Sequence, residues 1–330
     1  MLFFYPFCSL CGYQIVSKLL LERQVIQIRS KIYECVSEHI VSGLSYNNTD
    51  IQIFDCFFSR LSKYTGNGGV IYIVGDLYSM KIEYSMFYCS CSNVGGAVFF
   101  SSLHSSIKKI CANNCLSSSG HFAYIRVTQT CVVEYLSVSN CANTTTGHYA
   151  IYVSGGDQKF DDTNSSYNNA ARYSAIGVTS VLSYDSFRCT FAYNKESEGI
   201  VIAFYQNSGT VSFANIINNN SPSFGVIHNN HPLGHSKFKY CVIHSNQGTF
   251  LHISDGTITF YHSFISHSGV TSSINNNTIK KTQTYDYRFF ESQFCKAENA
   301  LYVKRPLITY YPPRAGYRFL LLFSLFFQYM

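Results

Sequence analysis

Charged residues make up only 13% of this chain, about half their share in an average soluble protein. So few charges leave no acidic or basic tail, and an apolar share of 46% is too high for a disordered segment. Basic residues never run together: Lys108-Lys109, Lys280-Lys281 and Lys304-Arg305 are the densest spots, and the formal charge of +6 is spread thinly. A nucleic-acid site needs a clustered basic footprint, so no nucleic-acid partner is expected. The apolar residues show no sustained 3.6-residue period and no Leu/Asn consensus, which excludes helical and leucine-rich repeats. Neither a G-x-S-x-G elbow nor a phosphate-binding Gly-rich string occurs, so nucleophilic and nucleotide chemistry lack their usual carriers. Cys8-x-x-Cys11 and Cys89-x-Cys91 have no partner pair at zinc-ribbon spacing, and neither metal nor cofactor is expected.

Long apolar runs are also missing. The final stretch, Phe319 to Met330, is almost wholly apolar behind Arg314 and Arg318, yet it falls short of the ~20 residues that span a bilayer as a helix. It suits a shortened anchor, a terminal strand or a shallow insertion, and weak membrane association through this tail is the expectation. Met1 to Tyr13 is apolar enough for a signal peptide's core but lacks a basic leader and a small-x-small cleavage site.

Aromatic residues, by contrast, are plentiful: Tyr and Phe number 27 each, without a single Trp. They recur in short apolar strands spaced about 26 residues apart. These are Val70-Ile71-Tyr72-Ile73, Ala97-Val98-Phe99-Phe100, Phe122-Ala123-Tyr124-Ile125 and Ala150-Ile151-Tyr152-Val153. Ala175-Ile176-Gly177-Val178, Val201-Ile202-Ala203-Phe204, Val226-Ile227-His228-Asn229 and Phe250-Leu251-His252-Ile253 follow, with Ala300-Leu301-Tyr302-Val303 two periods later. A fixed period of this length means a solenoid, and strands of four to six residues with polar corners suit a right-handed parallel β-helix. The fold expected is therefore all-β, with about ten coils stacked at ~4.8 Å. Residues 1–60 are assigned to an N-terminal apolar segment and cap, 61–305 to the β-helix and 306–330 to a C-terminal apolar tail. The cap is expected to contain a helix or irregular strands over 17–37.

One coil runs from Gly95 to Gly120. Gly95-Gly96 makes a bend, Ala97 to Phe100 a strand, Ser101 to Ser106 a polar turn and Ile107 to Ala112 a second strand; Asn113-Asn114 forms a corner. Second and fourth strand positions, such as Ile71/Ile73, Ile125 with Ala123, and Ile151/Val153, alternate inward and form the core. Ile227/Asn229 breaks that rule and predicts an internal Asn ladder or a local distortion. Asn67, Asn140, Asn194 and Asn246 are placed at corners, where a carboxamide bonds the turn backbone. Thirteen cysteines are many and odd in number, so at least one thiol is unpaired in a monomer; the rest suit disulfides outside the cell or small buried hydrophobes in a reducing compartment. Cys89, Cys115 and Cys141 lie one period apart and predict a stacked column, continued by Tyr167, Tyr193 and Asn219.

Two strings carry a resemblance. Gly95-Gly96-Ala97-Val98 and Phe191-Ala192-Tyr193-Asn194 match the GGA[ILV] and FxxN motifs of the polymorphic outer-membrane protein repeat, with Gly68-Gly69-Val70-Ile71 as a degenerate version. The chain resembles the trichomonad surface proteins that carry such repeats in a right-handed β-helix, over roughly residues 60–305. That resemblance implies a cell-surface or secreted protein acting in adhesion and antigenic variation rather than catalysis. No autotransporter barrel is expected after the repeat, and the family's full-length anchor is expected to be missing or cut short.

Candidate sites follow from the columns. The third strand position faces outward and places Tyr72, Phe99, Tyr124, Tyr152 and Tyr302 in an aromatic stripe, a platform for glycans or cell-surface proteins. Seven of the eleven histidines lie between 228 and 267, pairing His228 with His252 and His244 with His267; the bland reading is a repeated polar surface side chain. Asp157, Asp161 and Asp162 form the one dense acidic group, in an apparent loop, with Asp185, Glu196 and Glu198 on neighbouring coils. These are what a carbohydrate-active β-helix enzyme would use, but no useful basic partner is evident, and no catalytic residue is assigned. A degenerate family member without autonomous activity is the other alternative. Sequons at Asn47, Asn143, Asn164 and Asn276 mark candidate glycosylation sites, and Asn219 is a poor fifth if it belongs to the stacked column.

Overall fold

The structure, a computed structural model, describes residues 15–20, 23–29, 44–47, 50–54, 57–63, 66–75, 78–91, 93–142, 147–197, 200–205, 208–222, 225–266, 272–273 and 278–279. They fold as a parallel β-helix with three faces, and no described residue is helical. On the first face Ile71, Val98, Ala123, Ile151, Ile176, Ile202, Ile227 and Leu251 are successive register partners. These eight strands close about seven turns of 24–28 residues each, slightly fewer than the ten expected, and among the described residues Leu44–Asn47 and Ser272–Ser273 pair onto the first and last of them. The second face is built from strands such as Ser79–Glu83, Asp157–Asp161 and Ser183–Phe187, the third from Asn164–Ser166, Thr190–Ala192 and Asn215–Ile217. A short fourth row joins Asn169–Ala170, Lys195–Glu196, Asn220–Ser221 and Gln247–Gly248.

The parallel stack already includes Leu44–Asn47, Asp50–Phe54 and Phe57–Lys63, within the segment assigned to the cap. Before them, Arg23–Arg29 pairs in parallel with Asp50–Phe54 and carries Ile15–Leu20 antiparallel on its other edge. The antiparallel strand changes the pairing pattern at that end of the parallel stack. Val98–Asn113 and Ala123–Ser139 run as continuous strands around the corner between faces, so the polar turn expected at Ser101 to Ser106 is extended chain instead.

Alternation places the core as the sequence suggests: Ile71, Ile73, Val98, Phe100, Ala123, Ile125, Ile151, Val153, Ile176, Val178, Ile202, Phe204, Leu251 and Ile253 are all buried. Burial of each large member contributes about 1.5–3 kcal/mol. Phe204, Phe238 and Phe260 continue as an internal ring column, with centroids 6.1 and 5.2 Å apart. Asn229 is buried in this core, and the local distortion is what results: the register shifts between Asn229 and Asn230, and its Nδ2 reaches the Gly234 and Thr257 carbonyls at 3.4 and 3.3 Å.

The interior column at the corner after the third face differs from the expected one. Cys115 and Cys141 are successive members, the Cys115 N–H reaching Cys141 Sγ at 3.4 Å. The column then passes to Asn168 and Asn194, not Tyr167 and Tyr193, before Asn219 and Asn246. Tyr167 and Tyr193 take positive φ of 58° and 56°, and that left-handed turn throws their side chains outward while the next residue points in. The Cys89 side chain lies outside the described residues. Each Asn Oδ1 accepts the backbone N–H of its counterpart one coil earlier, at 2.9–3.0 Å. Between asparagines, Nδ2 donates to the next Oδ1 at 3.0–3.1 Å. Nδ2 of Asn194, Asn219 and Asn246 also donates to the Ser165, Phe191 and Ile216 carbonyls at 2.8–2.9 Å. The six described cysteines with placed side chains are buried, and burial pushes Cys131 and Cys241 up to about 12 and Cys189 to about 11. They act as small apolar fillers with a weak S–H donor.

Asn194→Ala strands the Asn168 N–H and the Ser165 carbonyl in the interior, at ~1–3 kcal/mol for each buried unpaired group. Denaturant titration is expected to show a loss of about 2–4 kcal/mol. Tyr193→Asn, one residue away, is expected to change stability by less than about 1 kcal/mol, because Asn tolerates the left-handed backbone.

Candidate functional site: an aromatic ladder on the first face

Coil register brings four of the five predicted platform residues into one column: Tyr72 opposes Phe99, Phe99 opposes Tyr124, and Tyr124 opposes Tyr152. Their rings stack with centroids 5.2, 5.4 and 4.3 Å apart and interplanar angles of 7–20°. Tyr302 lies outside the described residues. The stripe is less open than expected, since each ring covers its neighbour's face: Phe99 is only 8% exposed and the three tyrosines are half-buried. What the column offers a ligand is a row of ring edges and hydroxyls. Arg126 donates from Nη2 to the Tyr124 hydroxyl and lies 5.0 Å from that ring's centre. Burial, and secondarily Tyr152, raises the Tyr124 hydroxyl above the usual phenol range. Tyr152 shares a 2.8 Å hydrogen bond with Thr179.

Past Tyr152 the strand position holds Gly177 and then Ala203, and the column would end. Rings from another part of the coil continue it. At the bend before each strand, Gly68, Gly95 and Gly120 hold positive φ and donate their N–H to the residue preceding the equivalent bend on the next coil. Tyr149 and Tyr173 occupy that same place, with φ of 57° and 59°. Tyr149 swings over the strand face into the space above Gly177, where an added Cβ would sit 1.9 Å from its Cε1. Tyr149 meets Tyr152 edge-on at 5.0 Å and stacks on Tyr173 at 4.5 Å. Tyr173 meets Tyr205 at 5.7 Å and accepts its hydroxyl hydrogen bond at 2.6 Å. Tyr205 meets His228 at 5.1 Å, and His228 meets His252 at 4.9 Å. An unbroken path of ring contacts thus runs from Tyr72 to His252. The sequence signal for the missed members Tyr149 and Tyr173 was a bend that lacks its glycine beside a strand that gains one; Tyr205 ends the strand Ile200–Tyr205 and carried no such signal.

The histidine reading is part right. His228 and His252 stack as expected; His244 opposes Ser266 in register, and His267 lies outside the described residues. His228 is 5% exposed, held between the Tyr205 hydroxyl and Ser254 Oγ at 3.2 Å each. Burial, then the nearby His252, lowers it to about 3. His121 is fully buried and accepts the Ser117 N–H on Nδ1 at 3.1 Å; burial, then His148, lowers it to about 4.

Asp157 and Asp161 are the two ends of a strand rather than loop residues, and Asp162 takes the left-handed bend that follows it. The group also has the basic partners the sequence did not reveal: Arg188 grips Asp162 through two bonds of 2.7 and 2.6 Å, and Lys159 lies 3.1 Å from Asp161. Asp157 accepts the Ser183 hydroxyl at 2.7 Å. Asp185 is exposed, Glu196 is buried, and Glu198 lies outside the described residues. No group of three His, Cys, Asp or Glu suited to a metal occurs among the described residues. Asn164 is 3% exposed, its carboxamide bonded to Ser166, so the folded coil does not present it for glycosylation; Asn219 is fully buried in the ladder. Asn47 has a described backbone only, and Asn143 and Asn276 lie outside the described residues, as does the C-terminal tail. No described helix is long and apolar enough to cross a membrane.

Set against protein-family models, curated proteins and solved structures, the chain matches none.

Gly177→Ala is expected to cost about 1–3 kcal/mol by forcing Tyr149 off the strand face. In a Tyr149→Ala background most of that cost should vanish, and thermal unfolding of the four-member cycle measures the coupling. His121 and His228 are held neutral in the fold and protonate more readily once unfolded. Stability is therefore expected to fall as pH drops below 6.5, towards about 4 for His121 and about 3 for His228, by at most about 1.4 kcal/mol per pH unit for each ring. Between pH 7 and 5, His228→Gln should flatten the measured slope.

Proposed function

We propose that this chain is a non-catalytic binding module, displayed at the cell surface or secreted, whose first face receives an extended glycan or a partner protein. The observation that carries the reading is the unbroken ring path from Tyr72 to His252. A solenoid repeats one display position every ~4.8 Å along its axis, which suits a ligand that is itself extended and repetitive. Because the rings stack on one another, the ligand meets edges and hydroxyls, and Arg126 and the Tyr152–Thr179 pair add polar contacts beside them. Support for a non-catalytic role comes from the acidic group: Asp161 and Asp162 are engaged by Lys159 and Arg188 in ion pairs that tie side chains within and between coils. The cell-surface assignment rests on the resemblance carried by Gly95-Gly96-Ala97-Val98 and Phe191-Ala192-Tyr193-Asn194.

A glycan array probed with the purified chain tests the reading. Binding is expected to weaken about tenfold or more in Tyr124→Ala/Tyr152→Ala, since each buried aromatic contact contributes roughly 0.5–1.5 kcal/mol beyond its area. An array hit unchanged by the double substitution, in protein that unfolds at the wild-type temperature, would place binding elsewhere. Release of reducing ends or unsaturated products, lost in Asp161→Ala, would replace the reading with an enzyme. Labelling of intact cells decides the location.

A further inference from the structure

The outer surface of the second face is an ionic one, and on the earlier coils its lysines are balanced by carboxylates, the exposed Asp185 also standing in register with Lys159. Lys81 lies 3.3 Å from Glu83, Lys108 lies 2.7 Å from Glu134 and Lys159 lies 3.1 Å from Asp161. On Gly225–Lys239 that balance fails. Ser236 and Phe238 point inward and are buried, which turns His235, Lys237 and Lys239 outward on one strand. Alternate residues on a strand stand about 7 Å apart, so the two ammonium groups form a short cationic row. Neither makes an ion pair with a described side chain. In register beside them stand only hydroxyls: Thr210 and Thr259 flank Lys237, and Ser212 and Tyr261 flank Lys239. At the adjoining corner Phe213, Tyr240 and His262 stack at 4.9 and 5.3 Å, with Phe213 and Tyr240 about two-fifths exposed.

We infer that this patch, centred on Lys237 and Lys239, binds a linear sulfated glycan. The charge is positive and unbalanced, and the flanking hydroxyls are donors and acceptors of the kind that engage sugar hydroxyls and sulfate oxygens. A planar carboxylate is matched best by the two-pronged guanidinium, as Asp162 and Arg188 show in this molecule. An ammonium is a compact point charge with three rotatable donors, and two of them among hydroxyls supply several single contacts to the oxygens of a sulfate. The corner rings already cover one another's faces, so an unstacked nucleic-acid base finds no open aromatic face there. The patch lies on a different face from the aromatic ladder, and the inference stands independently of that site.

The test is calorimetric titration of the full chain with a heparin octasaccharide at several salt concentrations, alongside the desulfated octasaccharide and an oligothymidylate. Heparin is expected to bind at least about tenfold more tightly than either control, with affinity falling as salt rises. Lys237→Ala/Lys239→Ala should weaken heparin about tenfold and lower the log–log salt slope by about two, one for each lost contact. Lys237→Arg/Lys239→Arg should retain binding, and Tyr124→Ala/Tyr152→Ala should leave it unchanged. Undiminished heparin binding by the double alanine variant overturns the inference, as does binding of the desulfated sugar or the oligothymidylate as tight as that of heparin. Loss of heparin binding in Tyr124→Ala/Tyr152→Ala instead assigns the sugar to the first face.

Discussion

Everything in this molecule depends on keeping the backbone hydrogen-bonded where a coil turns a corner inside the core. On the faces, parallel neighbours satisfy each N–H and C=O, but a corner tilts these groups off the ladder and buries them. An asparagine carboxamide has the same donor and acceptor geometry as a peptide, so a column of them works as one more backbone strand. From Asn168 to Asn246 each carboxamide accepts an N–H from the coil before; those of Asn194, Asn219 and Asn246 also donate to a carbonyl of that coil. Cys115 and Cys141 fill the earlier positions, with Cys141 Sγ 3.4 Å from the Cys115 N–H. A thiol is a weaker partner than an amide. Serine does the equivalent job at the corner between the second and third faces, where Ser263 Oγ accepts the Cys241 N–H at 3.0 Å and donates to the Tyr261 carbonyl at 2.9 Å.

The same corners dictate the surface. To turn an Asn or Cys inward, the preceding residue must take the left-handed conformation, which costs a non-glycine residue roughly 1–2 kcal/mol. Its side chain then points straight out, one coil above the next, and stacking returns part of the cost. Tyr167 and Tyr193 stack at 4.6 Å, Lys109 lies 4.5 Å above the Tyr84 ring, and Arg188 meets Asp162. Among the described residues, the positive-φ positions that are not glycine are therefore more often aromatic or charged than Asn. Their exposure follows from a backbone requirement, and it need not signal a ligand. The cationic row on Gly225–Lys239 is of another kind, because neither Lys237 nor Lys239 takes the left-handed corner conformation and neither makes an ion pair with a described side chain.

Strand alternation carried most of the fold into the sequence. The inward pairs from Ile71/Ile73 to Leu251/Ile253 were legible because apolar residues at alternate positions repeat with the coil length. The outward column from Tyr72 to Tyr152 was legible for the same reason. The corner column was not, since coil lengths of 24–28 residues slide any fixed period by a residue. A count of 26 from Cys141 lands on Tyr167, whereas the extra residue in that coil puts Asn168 inside. Nor did spacing reveal the ladder's continuation: Tyr149 joins it from a bend, out of phase with the strands. The partners of Asp161 and Asp162 were equally hidden, since Arg188 reaches Asp162 only through the stacking of one coil on the next.

Two faces of one solenoid thus carry different chemistry for a physical reason. On the first face the outward residues are rings, which are most stable covering one another, so the column closes into a half-buried stack whose weak point is any coil without a ring. The Gly177 coil is such a place, and the chain fills it with Tyr149 rather than leaving a gap. On the second face the outward residues are ions, which need opposite charge on the same or the next coil. Where the chain supplies it, as between Lys108 and Glu134, the pair holds two coils together and little charge is left for a partner. Where the flanking coils offer Thr210, Ser212, Thr259 and Tyr261 instead, the lysines face no opposite charge in register. A stack of this kind can therefore hold a stabilising ladder and a charged surface at the same height, since its three faces share a core but not their outward columns.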